Sequence, residues 1–258
     1  MRCATAPDAA GPRPPRRTID VAFTPEELGA TPIAEATVVV IDAVRASATI
    51  VVALARGAAA VIPAGTIEEA RARAAAWPHG RALLGGERGG EPPEGFECGN
   101  SPAEYTAERV RDRTVIFTTT NGTRALVAVR GARRVAVAGF VNADAVAGWL
   151  AREPADVVLV CAGEKGRFCL EDATCAGLLV ARLGAGVPPW ALSDAARAAL
   201  VLWERYRDDL GRLVDEATWT RALAAQGRGG DLPLCVQIDA YDVVPVAVEG
   251  ALVAARQD

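Results

Sequence analysis

The sequence predicts an α/β fold, a three-layer α/β/α arrangement around a mostly parallel sheet. Three observations carry that prediction. Short β-branched runs alternate with helical patterns, as in strand–helix–strand units. The runs are apolar throughout, as strands covered on both faces require. The chain has 258 residues, 51% hydrophobic and 23% charged, a globular balance with enough length to bury a large core.

The elements follow in order. Residues 36–41 (ATVVVI) read as a buried strand, and residues 45–56 as a helix stopped by Gly57, a C′ glycine. Residues 59–63 read as a second strand. Thr66 and Glu69 have the spacing of a capping box, which opens a helix that runs to Pro78. Residues 83–102 (LLGGERGGEPPEGFECGNSP) read as a long Gly- and Pro-rich loop, and such loops inside a domain are usually functional or disordered. Ser101-Pro102-Ala103-Glu104 reads as a helix start with Ser101 as N-cap.

From residue 114 the pattern repeats. Strand 114–120, helix 121–130 and strand 133–139 follow, and Asn142 is placed to cap the next helix. The triplets Arg56-Gly57-Ala58 and Arg130-Gly131-Ala132 are 74 positions apart, and Thr49 and Thr123 share that offset. These echoes point to an internal duplication of a β-α-β-α unit, with units near 36–77 and 114–152. A third unit has strand 156–162 and helix 170–183. Beyond Pro188 and Pro189, residues 190–208 and 213–225 read as helices. The order of elements after residue 231 is not readable. Residues 1–17 read as a disordered tail and 18–258 as one domain.

Composition excludes several classes. No apolar run reaches the roughly 18 residues of a membrane span, and a net charge of −4 does not suit a nucleic-acid binder. The N-terminus lacks an apolar signal-peptide core. The six cysteines contain no CxxC pair, so buried thiols in a reducing, cytoplasmic compartment are expected. His79 is the only histidine and reads as a solvated loop residue. Any metal would therefore be held mainly by oxygen, which points to Mg²⁺.

Polar residues recur where a strand ends and a helix begins: Asp42, Arg45 and Ser47; Thr118, Thr119, Thr120, Asn121, Gly122 and Thr123; Gly163, Lys165, Arg167, Glu171 and Asp172. Ligands bind beyond the carboxyl ends of strands in open α/β sheets, so these clusters are expected to converge. Asp42, Glu171 and Asp172 are the candidate metal ligands, and Asp42 reads as either a metal ligand or a nucleophile. Arg45, Arg88, Arg167 and Lys165 suit a multiply charged anion. Glu87 and Arg88 lie between Gly-Gly pairs that let backbone approach a ligand. Cys161 and Arg167 also have the Cys-x5-Arg spacing of a thiolate phosphate loop, an alternative that the two acids opening the next helix disfavour.

The motifs VVVIDAVRASATIV, GGERGG, GFECGNSP, TTTNGTRA and CAG…LEDATCAG, in this order, resemble the 2-phosphosulfolactate phosphatase (ComB-like) family. The resemblance runs from about residue 38 to 177, and less distinctly through Gly229-Gly230-Asp231 to Val244-Pro245. It implies a Mg²⁺-dependent phosphatase that converts 2-phospho-3-sulfolactate to 3-sulfolactate and phosphate, a step of coenzyme M biosynthesis. It also implies a small anionic phosphorylated substrate and a homodimer. From their chemistry and their position at the strand–helix junctions and loops, the expected catalytic residues are Asp42, Arg45, Glu87, Asn121 and Asp172. The expected substrate contacts are Ser47, Arg88, Gly89, Asn100, Ser101, Thr119, Thr120, Gly122, Thr123, Gly163 and Arg167. A non-enzymatic organic-anion-binding protein on the same fold is the third reading.

Overall fold

The computed structural model describes residues 17–30, 32–184 and 190–255. The expected tail lies outside them apart from residue 17, as do Pro188 and Pro189. Strand β1 (Thr18–Ala22) begins where that tail was expected to end, and no sequence pattern announced it. The first expected unit is present as β2 (Thr37–Ile41), α1 (Ala46–Ala55), β3 (Ala60–Pro63) and α2 (Ile67–Ala75). All five residues of β2 are buried. So are nine residues of α1, because a helix that is apolar all round belongs inside a protein. The capping box before α2 forms only in part. Thr66 accepts from the Glu69 N–H, but Glu69 accepts from Gly65 instead of Thr66.

The segment read as a loop holds a strand, β4 (Ala82–Gly86). The glycines that suggested a loop are what let this strand pass its neighbours. A Cβ on Gly85 would lie 2.2 Å from the Tyr105 hydroxyl, and one on Gly86 would lie 1.9 Å from the Thr118 carbonyl oxygen. Ser101 stands at the N-cap position as expected but makes no side-chain cap bond, because its hydroxyl donates to Asp231. A short 3-10 turn follows, then α3 (Ala107–Val110).

The second unit is β5 (Thr114–Thr118), α4 (Gly122–Ala128), β6 (Arg134–Ala138) and α5 (Ala143–Arg152). Asn142 does not cap α5. Its side chain accepts from Gly139 and donates to the Val243 carbonyl, so it closes a 3-10 turn and ties the C-terminal segment down. Next come β7 (Val157–Cys161) and α6 (Leu170–Gly184), then β8 (Ala191–Leu192) and α7 (Asp194–Tyr206). The single helix expected over 213–225 is two, α8 (Leu210–Glu216) and α9 (Thr218–Ala225), broken at the extended Ala217. The unreadable end contains α10 (Leu232–Cys235) and a hairpin of β9 (Pro245–Val248) and β10 (Ala251–Ala254).

One ten-stranded sheet runs β4-β5-β3-β10-β9-β6-β2-β7-β1-β8. The pairs within β4-β5-β3 and within β6-β2-β7-β1-β8 are parallel. The hairpin between these blocks makes three antiparallel pairings, so the two blocks run in opposite directions. The two β-α-β-α units exchange strands across this divide. β2 pairs with β6, starting at Thr37 against Arg134, and β5 pairs with β3, starting at Thr114 against Ala60.

Helices cover both faces. Val38, Val40, Val61, Val115, Phe117, Val137 and Val160 turn one face toward α1 and α4. Val39, Ile41, Ala136 and Leu159 turn the other toward α5, α6 and α7. The α6–α7 crossing is close, since a Cβ on Gly177 would lie 2.0 Å from the Ala199 carbonyl oxygen. In a flat sheet, opposed blocks would keep their carboxyl ends apart. Here residues after β2 and β7 meet residues after β4 and β5, as Asp42 meets Glu87 and Glu164 meets Asn121.

Candidate active site

Asp42 follows β2, in the loop before α1. Its backbone N–H donates to the Ser47 hydroxyl at 2.9 Å, its carbonyl accepts from the Ser47 N–H at 2.9 Å, and its Oδ1 accepts from the Ala46 N–H at 3.2 Å. Ser47 therefore fixes the turn that aims Asp42. Asp42 is half-buried, and its pKa is pushed up to about 6. Burial is the largest cause, opposed by the Ala46 N–H and reinforced by the charges of Glu87 and Glu164.

Asp172, in the first turn of α6, binds two loops together. One carboxylate oxygen accepts from the Ala43 N–H at 2.8 Å and the other from the Gly163 N–H at 3.0 Å. Its pKa is still held well above the usual carboxylate value by burial, then by Asp42 and Glu171. Glu171 is also buried and is pushed up to about 7, first by burial and then by Asp42 and Glu164. Its Oε2 is buried without a hydrogen-bond partner, which is costly for a carboxylate.

The other block supplies the facing wall. Glu87 follows β4 and accepts from the Thr120 N–H and the Gly90 N–H, both at 2.7 Å. Asn121 donates to Glu164 at 2.5 Å and accepts from the Lys165 N–H at 3.1 Å. Thr119 and Thr123 bond each other's backbone reciprocally, which shapes the start of α4. Gly122 lies against Asp42, where a Cβ would sit 2.7 Å from Oδ2 and 2.9 Å from the Ala46 methyl. Gly163 (φ +63°) must be small as well, because a Cβ would lie 2.4 Å from the Arg167 carbonyl oxygen.

Beside this cluster opens a cavity of about 350 Å³ lined by Arg45, Asn100, Ser101 and Asp231 among others. Arg45, buried in spite of its charge, pairs with Asp231 at 2.7 Å. Ser101 donates to the same carboxylate at 2.5 Å. Asn100 is buried, with its Oδ1 unpartnered and its carbonyl accepting from Thr49.

The structure thus brings Asp42, Arg45, Glu87, Thr120, Asn121, Gly122, Gly163, Glu171 and Asp172 to one locality. Ser47, Thr119 and Thr123 support it from behind. The Arg88 guanidinium donates to Thr118 Oγ1 at 2.8 Å and to the Glu87 carbonyl at 2.7 Å. Gly89 and Arg167 are exposed. Cys161 is fully buried, and burial followed by the charge of Asp172 pushes its thiol well up, away from the thiolate that nucleophilic attack needs. The five described cysteines are all buried and free. Sequence reasoning missed Glu164 and Asp231 as site residues. Glu164 shared a loop with residues already chosen, whereas Asp231 is more than 180 residues from Arg45 and only the Gly-Gly-Asp resemblance marked it.

The donors suit a hard cation. All the charged groups around Asp42 offer oxygen or carry positive charge, and Glu171 has a buried acceptor in need of a partner. Among the described residues, no group of three or more His, Cys, Asp or Glu side chains is placed to hold a metal ion.

Comparison with known proteins gives the lineage. The family described as 2-phosphosulpholactate phosphatase matches residues 22–250. This chain belongs to the 2-phosphosulfolactate phosphatase family. Among its relatives is a protein of Symbiobacterium thermophilum, 42% identical over 83% of this chain and 92% of the relative. Another, from Pseudothermotoga lettingae, is 41% identical over 90% of this chain and 96% of its own length. A third, from Thermotoga maritima, is 37% identical over 91% and 97%. All three carry the name "Probable 2-phosphosulfolactate phosphatase". The family match spans the whole carboxylate cluster and the cavity beside it. Among the described residues no helix is long and apolar enough to cross a membrane.

Proposed function

We propose that this protein is a Mg²⁺-dependent phosphatase that hydrolyses 2-phospho-3-sulfolactate, or a related phosphorylated hydroxy acid, to the hydroxy acid and phosphate. The observation that carries the reading is the unpartnered Glu171 carboxylate oxygen near Asp42, in a chain whose relatives bear this phosphatase name. Asp42 and Glu171 would hold the Mg²⁺. Bound there, Mg²⁺ would neutralise the phosphoryl oxygens and stabilise the charge that builds as the ester bond breaks.

The protein's own groups do the rest. Asp42 orients a water and takes its proton as the water oxygen bonds to phosphorus. The bond from phosphorus to the C2 oxygen breaks, and that oxygen leaves with the hydroxy acid and is protonated from solvent. Arg45 supplies positive charge between the reacting group and the cavity. Asp172 holds the loops after β2 and β7 in register through its two N–H contacts, and Glu87 fixes the Thr120 and Gly90 backbones opposite. Family resemblance alone supports a homodimer and a role in coenzyme M biosynthesis, and the cysteine usage supports a cytoplasmic location.

The test is phosphate release from 2-phospho-3-sulfolactate with Mg²⁺ and with EDTA, alongside 2-phospholactate. Release that needs Mg²⁺ and falls sharply without the sulfonate is the expected result. Equal release from both compounds keeps the phosphatase and removes the substrate name. No release from folded protein overturns the reading in favour of an anion-binding protein, and release that persists in EDTA overturns the metal.

A further inference from the structure

The cavity beside the carboxylate cluster contains a second arginine, Arg228, alongside Arg45, Glu91, Asn100, Ser101 and Asp231. We propose that this cavity seats an acidic group of the substrate that is not transferred, carboxylate or sulfonate, and that Arg228 is the specificity-determining residue that grips it. This inference rests on the phosphatase reading and deepens it.

The two arginines differ in how firmly their charge is engaged. Arg45 pairs with Asp231, which Ser101 also holds, and these carboxylate and guanidinium groups are 13% and 4% exposed. Arg228 instead pairs with Glu91, whose side chain is 72% exposed. Solvated ion pairs of this kind are weak, so an incoming anion displaces Glu91 far more easily than Asp231. The Arg228 guanidinium also lies against Gly90. Gly90 has φ +90°, and a Cβ there would lie 2.2 Å from Arg228 Nη1.

Asn100 gives the independent observation. It is 7% exposed, it lines the cavity, and its Oδ1 has no partner. The amide N–H₂ of the same side chain is the donor that an anion in the cavity accepts from. A guanidinium fork and an amide N–H together match a carboxylate or sulfonate edge. The cavity also adjoins the reacting centre. Arg45 lines it and acts on Asp42, and the Gly90 N–H in its wall is held by Glu87.

The experiment compares kcat/KM of wild type, R228Q and E91Q on four monoesters. These are 2-phospho-3-sulfolactate, 2-phospholactate (no sulfonate), 2-phosphooxyethanesulfonate (no carboxylate) and ethyl phosphate (neither). R228Q is expected to lose about tenfold or more, relative to its loss on ethyl phosphate, on each substrate that carries the gripped group, chiefly through KM. E91Q is expected to gain on the same substrates. Loss that follows the sulfonate identifies the sulfonate, and loss that follows the carboxylate identifies the carboxylate. Equal loss on all four, ethyl phosphate included, overturns the proposal. Calorimetry with 3-sulfolactate runs in parallel and needs no turnover. Weakening of about tenfold or more in R228Q supports the proposal even if wild type hydrolyses none of the esters. Equal affinity in the two proteins, or no binding to wild type, overturns it.

Discussion

Asp42 Oδ2 lies 2.7 Å from where a Cβ on Gly122 would sit. Glycine at the start of α4 is therefore a space requirement of the carboxylate that follows β2. Helix propensity alone would favour G122A by up to about 1 kcal/mol. Contact with Asp42 and Ala46 opposes that gain, and the site bears the displacement. G122A is expected to keep its far-UV spectrum and lose about 100-fold in kcat, since a misplacement of about 1 Å costs that much. Activity within twofold of wild type would sink the assignment of Asp42 to the reacting centre.

D42N is expected to trade activity for stability. Asp42 is destabilised by burial and repelled by Glu87 and Glu164, and it in turn raises Glu171 and Asp172. Neutralising it removes those repulsions. Turnover should fall by at least ~100-fold, while the Tm of metal-free protein at pH 8 should rise. A fall in both would assign Asp42 to the scaffold.

The carboxylates also set a pH dependence. Asp42 rises from 3.8 to about 6 and Glu171 from 4.5 to about 7 on folding. The folded state thus binds these protons more tightly than the unfolded state. Their protonated forms favour folding fully below about pH 4, and the contribution is lost as pH climbs through 6 and 7. Metal-free protein should melt about 5 °C or more lower at pH 8 than at pH 5. Mg²⁺ should raise the Tm at pH 8 and much less at pH 5, where the proton competes. Thermal scans at both pH values, with and without Mg²⁺, give the answer. A Mg²⁺ shift of equal size at both would refute the cation site.

Cys161 separates metal from thiol chemistry. It is buried on β7 among apolar neighbours, with its thiol pushed well up. C161A is expected to turn over substrate at a rate within about threefold of wild type and to cost about 1–2 kcal/mol in urea unfolding. Loss of activity with unchanged stability would instead favour a thiolate nucleophile.

Local pattern made much of this molecule legible. The apolar run of β2, the Gly57 stop and the Asp42 and Glu171-Asp172 placements at strand–helix junctions all follow from neighbours in sequence. β4 was hidden because Gly85 and Gly86 answer to Tyr105 and Thr118, residues well downstream, and not to their own segment. Asn142 and Ser101 looked like caps, but Val243 and Asp231 engage them. The opposed directions of the two parallel blocks depend on the β9–β10 hairpin, whose mixed signals had no order in one dimension. In each case the missing information was a partner far away along the chain.

That hairpin has a further consequence, for synthesis. β3 pairs with β10 through Val61 and Leu252, and the ribosome makes the first long before the second. Until the hairpin arrives, the β4-β5-β3 block has a bare edge, open to pairing with any passing strand. Contacts over such separations form slowly. The nascent chain therefore carries an aggregation-prone face through most of its own translation, and a chaperone that shields β3 during that interval would raise the yield of active protein more than one acting after release.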